Sequence, residues 1–231
     1  MLWPWESEVA SIADICNLAL SHLGDEATVA SIDPPEGSAQ ADHCARWYPQ
    51  ALDEVLQEHT WSFATRRIAL ANLSFGYPMW QYAYAQPDDC LRFFAVLPPE
   101  ANDDYSVGMP LPARVPFGDT VYPVVAYVPQ AFETETDEDG NVIILTNQIQ
   151  AVGRYVVRIT DTTKFSPIFV QALSRLLASY LAGPIIKGAE GRAESAGQFQ
   201  AYQAALARAR AADAIQRQVR PQHAVPWMVG R

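Results

Sequence analysis

One segment of this 231-residue chain combines the residue types of a thiol nucleophile and its base. That segment is Asp42-His43-Cys44, and a cysteine acting as a nucleophile needs a histidine within hydrogen-bond reach. The surrounding pattern is helical, and adjacent helix side chains point about 100° apart. His43 and Cys44 would therefore not face each other, so we interpret Cys44 as a buried thiol and His43 as an exposed side chain.

A second segment matches the first half of a twelve-residue calcium-binding loop. The first, third, fifth and sixth loop positions are met by Glu135, Asp137, Asp139 and Gly140. The twelfth position requires a glutamate that binds through both oxygens, and Thr146 stands there. Because the flanking residues have the composition of strands, we interpret this segment as the acidic tip of a β-hairpin.

No other segment completes a catalytic or metal-binding motif. Residues 183–188 have the glycine spacing of a phosphate loop, but Ala189-Glu190 follows where the motif requires Lys and Ser or Thr. The four histidines lack the spacing of zinc ligands. The odd number and wide spacing of the cysteines predict reduced, buried thiols: Cys16, Cys44 and Cys90. The sequence thus predicts no catalytic residue, no metal and no cofactor.

Charge is distributed unevenly over the chain, whose net charge is −10. Residues 1–164 hold 8 Lys and Arg against 23 Asp and Glu, a net −15, whereas residues 165–231 hold 8 against 3, a net +5. The acidic body argues against ordinary nucleic-acid binding, which needs a basic surface. It remains compatible with a surface past which DNA slides without being bound.

Nearly half of the residues are hydrophobic, which is typical of a folded protein. The N-terminus lacks the basic and apolar regions of a signal peptide. No stretch approaches the roughly 18 apolar residues that span a bilayer. We therefore expect a protein that is made and assembled in cytoplasm, with no membrane partner.

Helical periodicity marks the N-terminal part of the chain. Residues 12–24 place apolar side chains on one face, with Ser11 as N-cap and Gly24 as the stop. A second amphipathic helix is predicted over residues 38–59. Pro49 lies inside it, so we expect a kink, or a break into two shorter helices, near Trp47 and Tyr48.

Helical periodicity returns after residue 165. Ser166 and Pro167 suit the N-cap and the first position of a helix, which Gly183-Pro184 should interrupt. An alanine-rich helix is predicted over about 185–216, because alanine has the highest helix propensity.

Short extended runs fill the middle of the chain. Asp139-Gly140-Asn141 predicts a hairpin turn between two strands, and prolines between residues 98 and 116 indicate a long loop. Runs rich in β-branched and aromatic residues predict strands over 91–97, 121–128, 142–146 and 152–159. The fold class is therefore α+β, with a helical bundle formed by both chain ends (1–78 and 161–216), an inserted antiparallel β domain (79–160) and an extended C-terminal arm (217–231).

Two aromatic-rich signatures stand out, WSFATRR at residues 61–67 and WQYAYAQPDDCLR at residues 80–92. Large aromatics bury much area, so we predict that five of them pack the bundle against the β domain: Trp61, Phe63, Trp80, Tyr82 and Tyr84. Arg66 and Arg67 are candidates for phosphate contacts, although carboxylates at a subunit contact or a helix end are the commoner partners.

These signatures resemble the tail tubular protein A family of tailed bacteriophages, whose members are head-to-tail adaptors, also called connectors. The segment ICNLALSHLG at residues 15–24 is similar to the start of that family. The resemblance covers most of residues 9–95 and, less closely, the helix after Phe165. It implies a virion protein of the neck that forms a ring of 12 copies beneath the portal protein. The ring would join the portal to the tail nozzle or tail tube protein and line the DNA channel, without enzyme activity.

The C-terminal arm is apolar and positively charged, and it has two interpretations. It is either a frayed terminus or a segment that docks on the portal or on a neighbouring subunit, because Trp and Arg often anchor interfaces. The residues that would dock are Arg217, Arg220, Pro221, Pro226, Trp227, Met228 and Arg231. An alternative function stays open, namely a small soluble hydrolase-like enzyme whose active-site residues are dispersed along the sequence.

Overall fold

The computed structural model describes residues 10–26, 28–73, 79–99 and 130–216, together with the backbone of 115–117 and 120–122. These residues form a mixed α+β fold in which helices precede and follow the strands. The chain divides into two compact units. The helical unit contains the described residues up to Thr65 together with Val157–Gln216, and the β unit contains the described residues of Arg66–Val156.

Helix α1 spans Ile12–His22 and begins with a capping box. Ser11 Oγ accepts a hydrogen bond from Asp14 N at 3.1 Å, and Asp14 Oδ2 accepts one from Ser11 N at 2.8 Å. The hydrogen bonds from Ser11 lower the pKa of the Asp14 carboxyl. Gly24, with a φ of 74°, follows the helix, and this left-handed conformation is common after a helix end. The predicted N-cap is confirmed.

Helix α2 spans Ala39–Glu58 and begins at the N-cap Ser38. Of the predicted kink or break near Pro49, the break is wrong, because the helix continues through this residue, and the kink stays a prediction. Proline removes one helical hydrogen bond, but the buried apolar stripe continues on both sides, from Cys44 to Leu52, and holds the two halves in one helix. A 3-10 turn, Ser62–Ala64, follows α2.

Helices α3 and α4 span Pro167–Ile186 and Gly188–Ile215. The predicted interruption at Gly183-Pro184 is wrong, because both residues lie inside α3. The chain leaves the helix only at Lys187, where φ is 63°, and Gly188 has a φ of 66°. Two consecutive residues in the left-handed region end one helix and begin the next, and Lys187 N donates to the Gly183 carbonyl at 3.1 Å.

Helix α3 has the length and apolar composition of a membrane-spanning helix, contrary to the sequence-based expectation. More than half of its apolar window, 56%, is buried inside the protein. The helix packs against α1, α2 and α4, so its apolar residues are needed on several faces. This arrangement is typical of the core helix of a helical domain.

Nine strands lie within the described residues, and the first begins at Thr65, upstream of the predicted boundary at residue 79. Pro116 lies in a strand instead of the predicted loop. The strands are β1 (Thr65–Ala69), β2 (Asn72–Leu73), β3 (Tyr82–Ala85), β4 (Cys90–Leu97), β5 (Val115–Phe117), β6 (Thr120–Tyr122), β7 (Phe132–Thr136), β8 (Val142–Thr146) and β9 (Val152–Val157). They form a three-stranded sheet of order β1-β9-β4, an antiparallel sheet of order β2-β3-β8-β7, and the antiparallel pair β5-β6.

Backbone hydrogen bonds join the two larger sheets on both sides. β1 continues through Ala71 into β2, and Ala85 N donates to the Ala71 carbonyl at 2.9 Å. On the opposite side Gln130, just before β7, donates to the Val96 carbonyl of β4 at 2.8 Å. Single backbone hydrogen bonds therefore link the two sheets at both ends of the strand order. One hydrophobic core cluster of this unit contains Leu70, Tyr82, Tyr84, Phe93, Val96, Phe132, Ile144 and Ala151.

Candidate functional site

The first aromatic signature lies in the core of the helical unit. Trp61 is 1% exposed, and its Nε1 donates to the Val55 carbonyl at 2.8 Å. The Trp61 ring meets Phe169 edge-on, with centroids 5.1 Å apart and planes at 86°. The Phe63 ring contacts the same Phe169 ring and also the Phe165 ring, with centroid distances of 5.1 Å and 5.9 Å. The signature thus joins the end of α2 to the start of α3.

The second aromatic signature packs inside the β unit. Tyr84 is 1% exposed, its hydroxyl donates to the Gln148 carbonyl at 2.8 Å, and the same oxygen accepts from Ala151 N at 3.3 Å. Tyr82 is half-buried beside Tyr84. Trp80 packs on the other face of the same sheet, against a cluster formed by Ala83, Ile143 and Leu145.

All five signature aromatics therefore pack within their own unit. Trp61 and Phe63 belong to the helical unit, and the other three belong to the β unit. The packing of the helical bundle against the β domain by these five aromatics stays a prediction. The predicted docking arm, 217–231, lies outside the described residues, so its role also stays a prediction.

The end of α4 is held by a buried carboxylate, Asp213, that is 6% exposed. One Asp213 oxygen accepts hydrogen bonds from Ser62 N at 3.0 Å and Ser62 Oγ at 2.6 Å. The other lies 3.3 Å from His59 Nε2. Asp213 thereby caps the 3-10 turn from a distant point of the sequence. No sequence pattern predicted this contact, because the partners are about 150 residues apart.

Ser62, His59 and Asp213 are the residue types of a hydrolase triad, but their arrangement differs from one. In a triad the histidine lies between the serine and the aspartate and removes the proton of the serine hydroxyl. Here Asp213 lies between the other two, and Ser62 Oγ donates to the carboxylate. The arrangement therefore ties α2 to α4 instead of activating a nucleophile.

A second serine–histidine contact joins α1 to α3. His22 Nε2 lies 3.3 Å from Ser174 Oγ, and burial together with the charge of Arg175 lowers the pKa of His22. Ser174 is fully buried and donates to the Gln171 carbonyl at 3.1 Å. A substrate cannot reach a serine that has no exposed surface. Gln198 Nε2 donates to the His22 carbonyl at 3.0 Å, which ties α4 to the same point.

The cysteines are reduced, and two of them touch. Cys16 and Cys44 are fully buried, as predicted, and the hydrogen bond to Cys44 together with burial raises the pKa of the Cys16 thiol. Cys90 is only half-buried, which differs from the prediction. Burial nevertheless raises the pKa of Cys90 to about 11, so this thiol is not a ready nucleophile. His43 is half-buried, which also differs from the predicted exposed side chain.

The acidic segment forms the predicted hairpin between β7 and β8. Gly140 has a φ of 87°, and Asp137 Oδ1 accepts hydrogen bonds from Asp139 N at 3.0 Å and Asn141 N at 2.7 Å. The hydrogen bonds from Asn141 lower the pKa of the Asp137 carboxyl. Thr146, at the twelfth loop position, is buried and donates to the Ala131 carbonyl. Within the described ranges no group of three metal-binding side chains occurs.

Arg66 contacts a carboxylate of the β unit. It pairs with Asp89, and the Tyr155 hydroxyl donates to the other oxygen of Asp89 at 2.8 Å. Arg66 was considered for contact with a phosphate or with a carboxylate, and here it contacts a carboxylate. The Arg66 side chain is still 54% exposed, so the pair lies at the surface.

Comparison with known proteins gives no assignment. No model of a known protein family matches the chain. A search of curated proteins also finds no matching sequence. The function must therefore be argued from the residues themselves.

Proposed function

We propose that this chain is a structural head-to-tail adaptor of a tailed bacteriophage, which forms a ring that joins the portal protein to the tail and lines the DNA channel. The observation that carries the proposal is the place of the two aromatic signatures. Trp61 and Tyr84 are each 1% exposed, so each signature places one large aromatic side chain in a core. Large aromatic side chains that fill a core help to specify a fold, so we interpret the resemblance to adaptor proteins as one of architecture and not of a reactive site.

The division into units supports the architecture that goes with this proposal. Helices α1 and α2 precede the strands, α3 and α4 follow them, and all four belong to one compact unit. We infer a helical bundle built from both chain ends with an antiparallel β domain inserted between them. The two units would offer chemically different surfaces, as an adaptor between two different partners needs.

The charge distribution supports a channel lining. Residues 1–164 carry a net charge of −15, from 8 basic and 23 acidic residues. Repulsion between these carboxylates and DNA phosphates would keep DNA mobile in the channel. We therefore expect the purified ring to bind little DNA near physiological salt. Tight binding that weakens steeply with added salt would argue against an acidic channel.

The mass of the assembly that the purified chain forms tests the proposal directly. The purified chain is analysed by sedimentation and native mass spectrometry, alone and with the portal protein of the same virus. We expect a ring of 12 copies, either alone or on the portal. A stable monomer that binds no portal at any concentration would refute the adaptor.

The C-terminal arm gives a second test. We propose that residues 217–231 dock on the portal or on a neighbouring subunit, with three arginines and Trp227 as anchors. Truncation after Gln216 leaves α4 intact, so the shortened chain should fold but fail to attach to portal-bearing heads. Normal attachment would show that the arm is a frayed end and that the portal contact lies on the helices.

A further inference from the structure

Two of the three cysteines form a pair inside the helical unit. Cys16 lies on α1 and Cys44 on α2, and both side chains are fully buried. A hydrogen bond joins the two thiols. The function proposed above makes no use of this pair.

The pair lies where α1 and α2 meet. Both helices pack along α3, and the direct contact between α1 and α2 is small by comparison. Tyr48 lies one turn after Cys44 on the same face of α2. Burial, and then the charge of Cys16, raise the pKa of the Tyr48 hydroxyl, so Cys16 interacts with this residue as well. Cys16 therefore faces the turn of α2 between Cys44 and Tyr48.

A single buried cysteine usually acts as a small apolar side chain and indicates nothing more. Two thiols that different helices bring into contact can in addition be joined, because a disulfide forms where the fold places two sulfur atoms side by side. Cys90 belongs to the β unit and is more exposed than either member of the pair. It is therefore the internal comparison for reactivity that follows exposure alone.

We propose that Cys16 and Cys44 are a redox-sensitive pair, which a small-molecule disulfide such as glutathione disulfide oxidises to a disulfide that links α1 to α2. In the first step the Cys44 thiolate attacks one sulfur of the oxidant, a mixed disulfide forms, and one glutathione leaves as its thiolate. The Cys16 thiolate then attacks the Cys44 sulfur and releases the second glutathione. The two protein thiols lose two electrons and two protons in all, and one glutathione disulfide becomes two glutathione molecules.

The order of the two steps follows from the hydrogen bond between the thiols. This bond lowers the pKa of the Cys44 thiol, whereas it raises that of Cys16. The thiolate is the nucleophile in disulfide exchange, so Cys44 attacks first. Cys16 becomes the attacking thiol once Cys44 is held in the mixed disulfide and no longer shares its hydrogen bond.

The oxidant reaches the pair only when α1 opens, because both sulfur atoms are fully buried. Asn17, next to Cys16, ties α1 to the segment that follows it. Its Nδ2 donates to the Val29 carbonyl at 3.0 Å, and Val29 N donates to its Oδ1 at 2.7 Å. Local opening of one element costs less than global unfolding. When α1 closes again it returns Cys16 to Cys44, which favours the second step.

The disulfide would form after the chain leaves a reducing compartment. Thiols are kept reduced in cytoplasm, whereas disulfides persist in extracellular media. A virion protein passes from the first to the second when the particle is released, so the link would form in the finished particle. This timing rests on the proposed function, whereas the oxidation of the purified chain does not depend on it.

Peptide mapping of the oxidised chain tests the proposal. The full chain is reduced, incubated with glutathione disulfide and digested without reductant. A protease that cuts after glutamate is required, because Glu26 and Glu36 separate the two cysteines and no Lys or Arg lies between them. We expect mass spectrometry to find the peptide of Cys16 joined to that of Cys44, with Cys90 in neither.

Thermal unfolding gives a second readout. A disulfide restricts the unfolded chain, so the oxidised chain should melt about 5–10 °C above the reduced chain. Cys90→Ser is the matched control and should keep both the joined peptides and this rise. Cys16→Ala should stop at a mixed disulfide of glutathione with Cys44 and show no rise. Cooperative melting of reduced Cys16→Ala confirms that this variant is folded.

The role of α1 opening is tested by the rate of oxidation. Asn17→Ala removes both hydrogen bonds to Val29 and should speed the reaction about fivefold or more. Ser21→Ala is its control in the same helix, because the exposed Ser21 Oγ donates only to the Asn17 carbonyl within α1. Its rate should stay near that of the wild type. Equal rates for Asn17→Ala and Ser21→Ala would overturn the opening of α1 as the route.

Three results would refute the redox pair. They are glutathione adducts on Cys16 or Cys44 without joined peptides, a disulfide that includes Cys90, and thiols that stay reduced in the folded chain while the urea-unfolded chain is oxidised. The proposed function fails separately. A chain that forms the disulfide but stays monomeric with and without portal refutes the adaptor alone, and a ring whose cysteines do not react refutes the redox pair alone.

Discussion

The backbones of α3 and α4 touch where Gly191 meets Ala182. A β-carbon added at Gly191 would lie 2.9 Å from the Ala182 carbonyl oxygen and 3.6 Å from the Cα of Gly183. A backbone atom cannot move aside as the end of a side chain can. Gly191→Ala should therefore push the two helices apart and lower the free energy of unfolding by about 1–3 kcal/mol, measured by urea denaturation.

Gly197, six residues further along α4, is the matched control. Nothing lies within 4 Å of a β-carbon at this position. Gly197→Ala removes a helix-breaking residue from a helix interior and should raise stability by about 0.5–1 kcal/mol. If both variants change stability by the same amount and sign, the close approach at Gly191 does not govern stability.

Substitution of Trp61 should lower stability more than substitution of most other residues of the helical unit. It is 1% exposed and contacts Val55 and Phe169. Trp61→Ala should cost about 3–5 kcal/mol. Trp47 is half-buried against Tyr180, with ring centroids 5.3 Å apart, so Trp47→Ala should cost clearly less. Unchanged thermal stability of Trp61→Ala combined with loss of assembly would instead place Trp61 in an interface.

Local signals in the sequence predicted the elements that depend on neighbouring residues. The Ser11 N-cap and the Asp139-Gly140 turn are such elements, since each needs only residues a few positions apart. Proline was a weaker signal than expected. Pro49 and Pro184 both lie inside helices, because packing of the flanking apolar residues outweighs the loss of one hydrogen bond.

Contacts between distant residues could not be read from the sequence. Asp213 caps a turn at Ser62, and Gln130 joins β7 to β4 at Val96. Neither contact leaves a pattern in one sequence, because the partners are far apart along the chain.

His22 should make the stability of the helical unit depend on pH. Burial and the charge of Arg175 lower its pKa in the folded state below the ordinary value of 6.5. The unfolded chain then binds a proton more readily, so stability should fall as pH falls through 6.5 towards the lowered value. His22→Gln, which keeps a polar group near Ser174, should remove this part of the slope.

The measurement is the free energy of unfolding in urea between pH 8 and pH 5, for the wild type and the variant. Arg175→Gln removes only the smaller of the two causes and should leave part of the slope. Identical slopes for the wild type and His22→Gln would contradict the assignment of the pH dependence to His22.

Asp213 should be needed for the end of α4 because it satisfies the Ser62 N–H and hydroxyl. Asp213→Ala would leave the Ser62 N–H without its acceptor and should cost about 1–3 kcal/mol, whereas Asp213→Asn keeps one oxygen acceptor and should cost less. Amide hydrogen exchange of Ser62 should become faster in Asp213→Ala. Asp53→Ala removes the carboxylate that forms an ion pair with the exposed Arg158 and should cost no more than about 1 kcal/mol. Equal losses in Asp213→Ala and Asp53→Ala, with unchanged exchange at Ser62, would mean that the Asp213 contact is no stronger than a surface ion pair.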